Sequence, residues 1–311
     1  MAGFSVSDNG LVAFRAGGSI ANRQLRLADR TGAPTGFVGT TSSFQNPVFS
    51  PGGESVAVSL QNPGRDIWLI NTATSARTRF TLNPADEDYP VWAGDRIVFN
   101  SNRDGGVANL YAKPVNGGGA EEVILKNDFP KIPLSWSEHG QYLAYEERDP
   151  KTKSDLWYLS LQDRQPIKFL STDFNETQAQ ISPNGRWIAY VSDQSGRPEV
   201  YVRSFPSGSI ERQVSTDRGL QPRWREDGKE LFFLGSEGTE DFMVVNVESN
   251  ESPPAVRVSS PKKLFQFDVI SQNQRNSYDV LGGQRFMLNL IPRPAGAAPT
   301  VTFILNWQKI P

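Results

Sequence analysis

The chain has 311 residues, 37% hydrophobic and 21% charged, with 32 Lys and Arg against 34 Asp and Glu for a formal net charge of −2. That balance, with no basic tail and no Lys/Arg run, leaves no electrostatic footprint for nucleic acid. The absence of cysteine excludes disulfides, thiolate nucleophiles and Cys-based metal sites, no stretch approaches the roughly 18 apolar residues of a membrane span, and the start has no basic region followed by an apolar one, so no export signal or anchor is predicted.

One short pattern recurs along the chain. It runs Val6-Ser7-Asp8-Asn9-Gly10, Phe49-Ser50-Pro51-Gly52-Gly53, Val91-Trp92-Ala93-Gly94-Asp95, Trp136-Ser137-Glu138-His139-Gly140, Ile181-Ser182-Pro183-Asn184-Gly185, Trp224-Arg225-Glu226-Asp227-Gly228 and Tyr278-Asp279-Val280-Leu281-Gly282-Gly283. Successive turn glycines stand 43, 41, 46, 45, 43 and 55 residues apart, a period that marks a repeat architecture. Each copy is an aliphatic or aromatic strand residue followed by the Pro, Asn, Asp and Gly chemistry of a hairpin turn.

After each turn comes an apolar run such as Val56-Ala57-Val58, Trp187-Ile188-Ala189-Tyr190 or Leu231-Phe232-Phe233-Leu234, the composition of a strand buried on both faces. A third strand, often opened by an acid or amide, follows as in Asp66-Ile67-Trp68, Asn109-Leu110-Tyr111, Asp155-Leu156-Trp157 and Glu199-Val200-Tyr201. A more polar fourth, such as Arg77-Thr78-Arg79 or Arg212-Gln213-Val214, suits a solvent-facing edge. Four antiparallel strands per roughly 43-residue unit predict an all-β fold, a β-propeller of four-stranded blades in one domain spanning residues 1–311. Seven turns predict seven blades, near residues 4–43, 44–87, 88–131, 132–176, 177–220, 221–268 and 277–308, with six as the alternative. The last unit holds only three strands and only Met1 to Gly3 precede the first, so ring closure is the open point of this count.

The Ser-Pro-x-Gly turn with its preceding aromatic, and the Asp-Ile-Trp type of third strand, resemble the WD-like repeats of TolB-type propellers over essentially the whole chain. Asn100 to Gly105, Asp149 to Trp157, Phe174 to Thr177 and Gln221 to Trp224 are also similar to propellers found C-terminal to bacterial membrane-anchored serine/threonine kinases. The second resemblance implies a periplasmic or extracellular location, a sensing or scaffolding role, and a kinase or other domain in a longer parent protein. The chain itself carries no Gly-rich loop leading to a lysine strand and no His-Arg-Asp loop.

The residues offer little for catalysis. The single histidine, His139, occupies a turn position where other copies carry Gly52, Asn184 or Asp227, and no Gly-x-Ser-x-Gly elbow is present, so no catalytic residues are predicted. Asp86-Glu87-Asp88 could offer oxygens to Ca²⁺, but lacks the spacing of a calcium loop; solvated turn acids are the plainer reading, and no metal or cofactor is predicted. Gly117-Gly118-Gly119 opens no helix and reads as a turn.

Geometry points elsewhere. The loops that lead into the innermost strands of a propeller converge on one mouth of the central channel, and there Gln45, Asp88, Lys131, Gln178, Gln221 and Arg223 are the expected lining of a ligand or partner site. The function expected is a non-catalytic protein- or ligand-binding propeller. Gating of a separate peptidase-type catalytic domain is the alternative, and a channel-mouth lyase a further one, although propeller lyases of the oligouronate type depend on histidines and a metal that these residues do not provide.

Overall fold

Burial separates the four strand types of each unit much as the sequence orders them: second strands are buried on both faces and fourth strands lie open to solvent. The structure, a computed structural model, describes residues 3–6, 11–15, 23–61, 63–116, 118–137, 141–235, 240–251, 254–267, 276–292 and 301–305. His139, Gly117 and the turn from Ser7 to Gly10 lie outside the described residues.

Strands β1 (Gly3–Val6) and β2 (Leu11–Arg15) form one hairpin, and β3 (Arg23–Ala28) and β4 (Pro34–Ser42) another. Blade 1 is β5 (Phe44–Phe49), β6 (Ser55–Gln61), β7 (Arg65–Asn71) and β8 (Arg77–Arg79). Blade 2 is β9 (Glu87–Ala93), β10 (Arg96–Ser101), β11 (Asn109–Pro114) and β12 (Glu122–Leu125). Blade 3 is β13 (Lys131–Trp136), β14 (Tyr142–Asp149), β15 (Lys153–Ser160) and β16 (Pro166–Leu170). Blade 4 is β17 (Glu176–Ile181), β18 (Trp187–Ser192), β19 (Glu199–Ser204) and β20 (Glu211–Gln213).

Blade 5 has β21 (Leu220–Trp224), β22 (Glu230–Gly235) and a 12-residue β23 (Glu240–Glu251), whose outer side pairs with both β24 (Pro254–Val258) and β25 (Lys262–Phe267). β26 (Tyr278–Leu281) and β27 (Arg285–Leu290) then pair through β27 with β3, giving blade 6 the order β26-β27-β3-β4. β28 (Val301–Leu305) joins β2 in a separate three-stranded sheet.

The ring therefore has six blades, which corrects the count of seven: innermost strand β26 packs between β21 and β5 and completes the circle. The units expected as first and last blades share one sheet. Hydrogen bonds between β27 and β3 close the ring in place of a covalent loop, and no blade lacks a fourth strand. Hairpin β1-β2 has the turn chemistry of a blade's inner hairpin, so local sequence could not distinguish it from a seventh blade.

The core is the set of interfaces between neighbouring blades. The largest joins blades 4, 5 and 6, where the fully buried Phe242 stacks on Phe265 at 4.7 Å and meets Phe286 and Tyr278 edge-on at 5.0 and 4.7 Å. Edge-to-face rings of this kind add to the area they bury. Truncation there leaves a cavity between rigid sheets: Phe242→Ala is expected to destabilise the fold by about 3–5 kcal/mol, and Phe37→Ala, on the exposed outer strand of blade 6, by under about 0.5 kcal/mol, both read from urea unfolding. A chain starting at Ser43 lacks both closing strands and is expected to lose the single cooperative transition.

Candidate functional site

The innermost strands enter the ring from one face, and in blades 1 to 5 each carries a one-residue β-bulge against its second strand. At that bulge Asn46, Tyr89, Gln178 and Gln221 adopt left-handed backbone with φ of 49°, 55°, 57° and 54°. A bulge re-aims the side chain it carries, and here the amides are turned along the ring toward the neighbouring blade.

Gln178 Oε1 accepts the Gln221 backbone N–H at 2.6 Å, and Gln221 Oε1 accepts that of Ser277, also at 2.6 Å. Asn46 Oδ1 accepts from the Asn276 N–H at 3.0 Å while its Nδ2 donates to Asp88 at 2.6 Å. Asn100 donates to the Lys131 carbonyl and Asn289 to that of Phe44. Deeper in the ring, Asp279 accepts from the Phe49 N–H at 2.7 Å and Ser135 from the Ile181 N–H at 3.0 Å. The indole N–H groups of Trp92 and Trp224 donate to the Val48 and Gln180 carbonyls. Each pair of adjacent blades is thus tied by side chain to backbone bonds, which satisfy groups that burial would otherwise leave without water.

The six residues expected at the mouth lie on these inner strands. Gln178 and Gln221 are cross-blade ties, and Gln221 is fully buried. Lys131, also 0% exposed, directs its ammonium to Asn109 Oδ1 at 3.2 Å, the Phe129 carbonyl at 2.5 Å, Asn127 and, at 3.6 Å, Glu147. It fastens the loop that leads into β13; burial pulls its pKa down against the attraction of Glu147. Asp88 is held by Arg65 at 2.8 Å as well as by Asn46. Arg223 lies 3.4 Å from Asp279, and burial raises the Asp279 pKa against the opposing pull of Arg223. Gln45 is half-buried. The six share the inner ring, but at four different register positions, and most of their polar groups are engaged inside the protein.

Sequence reasoning missed Asn46, Asp279 and Asn289. A signal existed for the first: an amide recurs at the same offset from the turn in Asn46, Gln178 and Gln221. The three acids considered for Ca²⁺ are engaged separately, Asp86 by the Arg65 N–H, Glu87 by Arg103 at 2.8 Å and Asp88 by Arg65. Among the described residues no group of three or more His, Cys, Asp or Glu is placed to hold a metal ion.

What the lead-in face offers to solvent comes from its loops. Leu82, before β9, is 67% exposed and Phe174, before β17, 40%. Lys126, Asp104 and Asp217, the last 90% exposed, stand on other loops of the same face.

One buried acid at this face has its pKa pushed well above the usual carboxylate range. Glu176, at the start of β17, is fully buried and bonded by Thr172, and burial, with Asp155 and Asp193 adding to it, raises its pKa from 4.5 to about 6. A raised acid pKa means that the folded state holds the proton more tightly, so this contribution is present below pH 4.5 and is lost as pH rises through about 6. Glu176→Gln is therefore expected to match the parent near pH 4 and to exceed its stability at pH 7.5 by up to about 2 kcal/mol, read from urea midpoints across that range.

No family model matches the chain. The Tol-Pal system protein TolB of Francisella tularensis subsp. holarctica is 26% identical over 185 residues, covering 57% of this chain and 41% of that protein, so the chain spans less than half the length of the curated relatives it matches. The structure of putative TolB from Agrobacterium tumefaciens superposes with a TM-score of 0.70 at 15% identity, over 89% of this chain and 100% of that one. An oligogalacturonate lyase in complex with manganese shares the fold, with a TM-score of 0.54 at 13% identity over 94% of this chain and 96% of that one. In fold, and in sequence over 57% of its length, the chain is similar to TolB, and it is a TolB-like β-propeller.

Proposed function

We propose that this chain is a non-catalytic binding propeller that recognises a protein partner through its lead-in loops and channel mouth, on the outer side of the cytoplasmic membrane. The observation that carries the reading is the exposed pair Leu82 and Phe174 on loops anchored to a rigid, internally bonded inner ring. A stiff scaffold presenting apolar tips binds without a large ordering cost. Most of the buried polar groups beneath are engaged inside the protein, which suits a platform better than a reaction centre.

The TolB-like resemblance supports a protein partner and an extracytoplasmic location, since the relatives carry the name of a Tol-Pal system protein. In this reading Gln45 and the Arg65–Asp88 pair meet the partner, while Lys131, Gln178, Gln221 and Arg223 fix the shape of the mouth. A photo-crosslinking residue placed at Phe174 in envelope extracts of the source cells is expected to yield a discrete protein adduct that Leu82→Asp abolishes. The same residue at Ile167, on the outer strand β16, is expected to yield none. Equal adducts from both positions, or none from Phe174, would contradict the reading.

A further inference from the structure

The opposite face holds a cavity that the partner-binding reading does not use. It measures about 450 Å³ and lies between the inner turns of blades 4 and 5, within the roughly 300–1,000 Å³ range of small-molecule sites. Its outer wall comes from the C-terminal part of β23, Val247 to Asn250, which runs past the start of β22 and folds back as β24. This extension accounts for the 55-residue spacing between Gly228 and Gly283. The two inner turns approach closely beside it, since a Cβ on Gly228 would sit 3.8 Å from the Pro183 ring of the neighbouring turn.

Two tryptophans line the cavity. Trp187 is almost fully buried, while Trp224 is half-buried and its indole N–H is committed to the Gln180 carbonyl at 2.9 Å. What Trp224 has left to offer is hydrocarbon and π surface.

The rim is polar, with one cation and two acids among its lining residues. Asn184 uses its Oδ1 inside its own turn, accepting from the Ser182 hydroxyl and the Arg186 N–H, which leaves its NH₂ free to donate. The Lys229 ammonium and Glu248 carboxylate, both on exposed residues, make no side-chain hydrogen bond or ion pair with another described residue. Asp227 is already held by Arg225 at 2.5 Å. One lysine beside two carboxylates, Asp227 and Glu248, gives no preference for phosphate or carboxylate ligands, which call for clustered cations.

An aromatic floor beneath separated donors and acceptors matches a molecule with apolar C–H faces and hydroxyl edges. We infer that this cavity is a binding site for a neutral saccharide, with Trp224 under the sugar ring and Asn184, Lys229 and Glu248 on its hydroxyls.

The test uses the chain as it stands, with cellobiose and N,N′-diacetylchitobiose as probes, by saturation-transfer NMR and calorimetry up to about 10 mM, enough to reveal a Kd near or below ~1 mM. The expected result is saturable binding of at least one probe. The double variant Lys229→Ala/Glu248→Ala should weaken it about tenfold or more, the loss of roughly one or two net hydrogen bonds, with the unfolding midpoint unchanged because both side chains are exposed. Absence of saturable binding of both probes, or binding that survives the double variant, overturns the assignment. The photo-crosslink at Phe174 is read separately, so the fate of one site leaves the other standing.

Discussion

The ring depends on one constraint: each innermost strand must satisfy backbone groups that face another blade and not its own sheet. In blades 1, 4 and 5 the chain meets it with an amide set at one register position and aimed by a bulge, whereas blade 2 uses Asn100 of its second strand. Asn46, Gln178 and Gln221 accept left-handed backbone at that bulge, a conformation that amides tolerate better than β-branched residues do, and span to the next blade. Where blade 3 has Pro133, which cannot adopt positive φ, the tie to blade 4 passes instead through Ser135 and Gln180. The same interblade contact is made with different chemistry.

Closure follows the same logic on a larger scale. The two ends of the ring meet within blade 6, where β3 and β27 form an ordinary antiparallel ladder, and the Asp279 carboxylate crosses from blade 6 to the Phe49 N–H of blade 1. A repeat protein is stabilised by its nearest-neighbour interfaces, and this fold leaves none of them unmade.

The strand types, their order and the all-β architecture were legible because each rests on local chemistry: turn glycines, apolar second strands, acids opening third strands. The blade count was not, because the β1-β2 hairpin and the inner hairpin of a blade share that chemistry and differ only in which distant strand they pair with. The long spacing after Gly228 was visible, but nothing local says that the extra residues extend β23 and build a wall. Placing Gln45, Asp88, Lys131, Gln178, Gln221 and Arg223 on the inner ring was within reach of the repeat. Their engagement was not, since Gln221 meets Ser277 and Asn46 meets Asn276 between neighbouring blades, at separations that no periodic pattern encodes.

The account thus divides the molecule into a bonded inner ring and loop faces free to bind, and the division rests on the cross-blade ties being permanent features of the native state. Native-state hydrogen exchange of the Phe49, Gln221 and Ser277 amides tests it most directly. All three N–H groups end on side chains of another blade, so they should exchange only with global unfolding. Exchange at the rate of the exposed loops would contradict the account, because the inner ring would then open on its own.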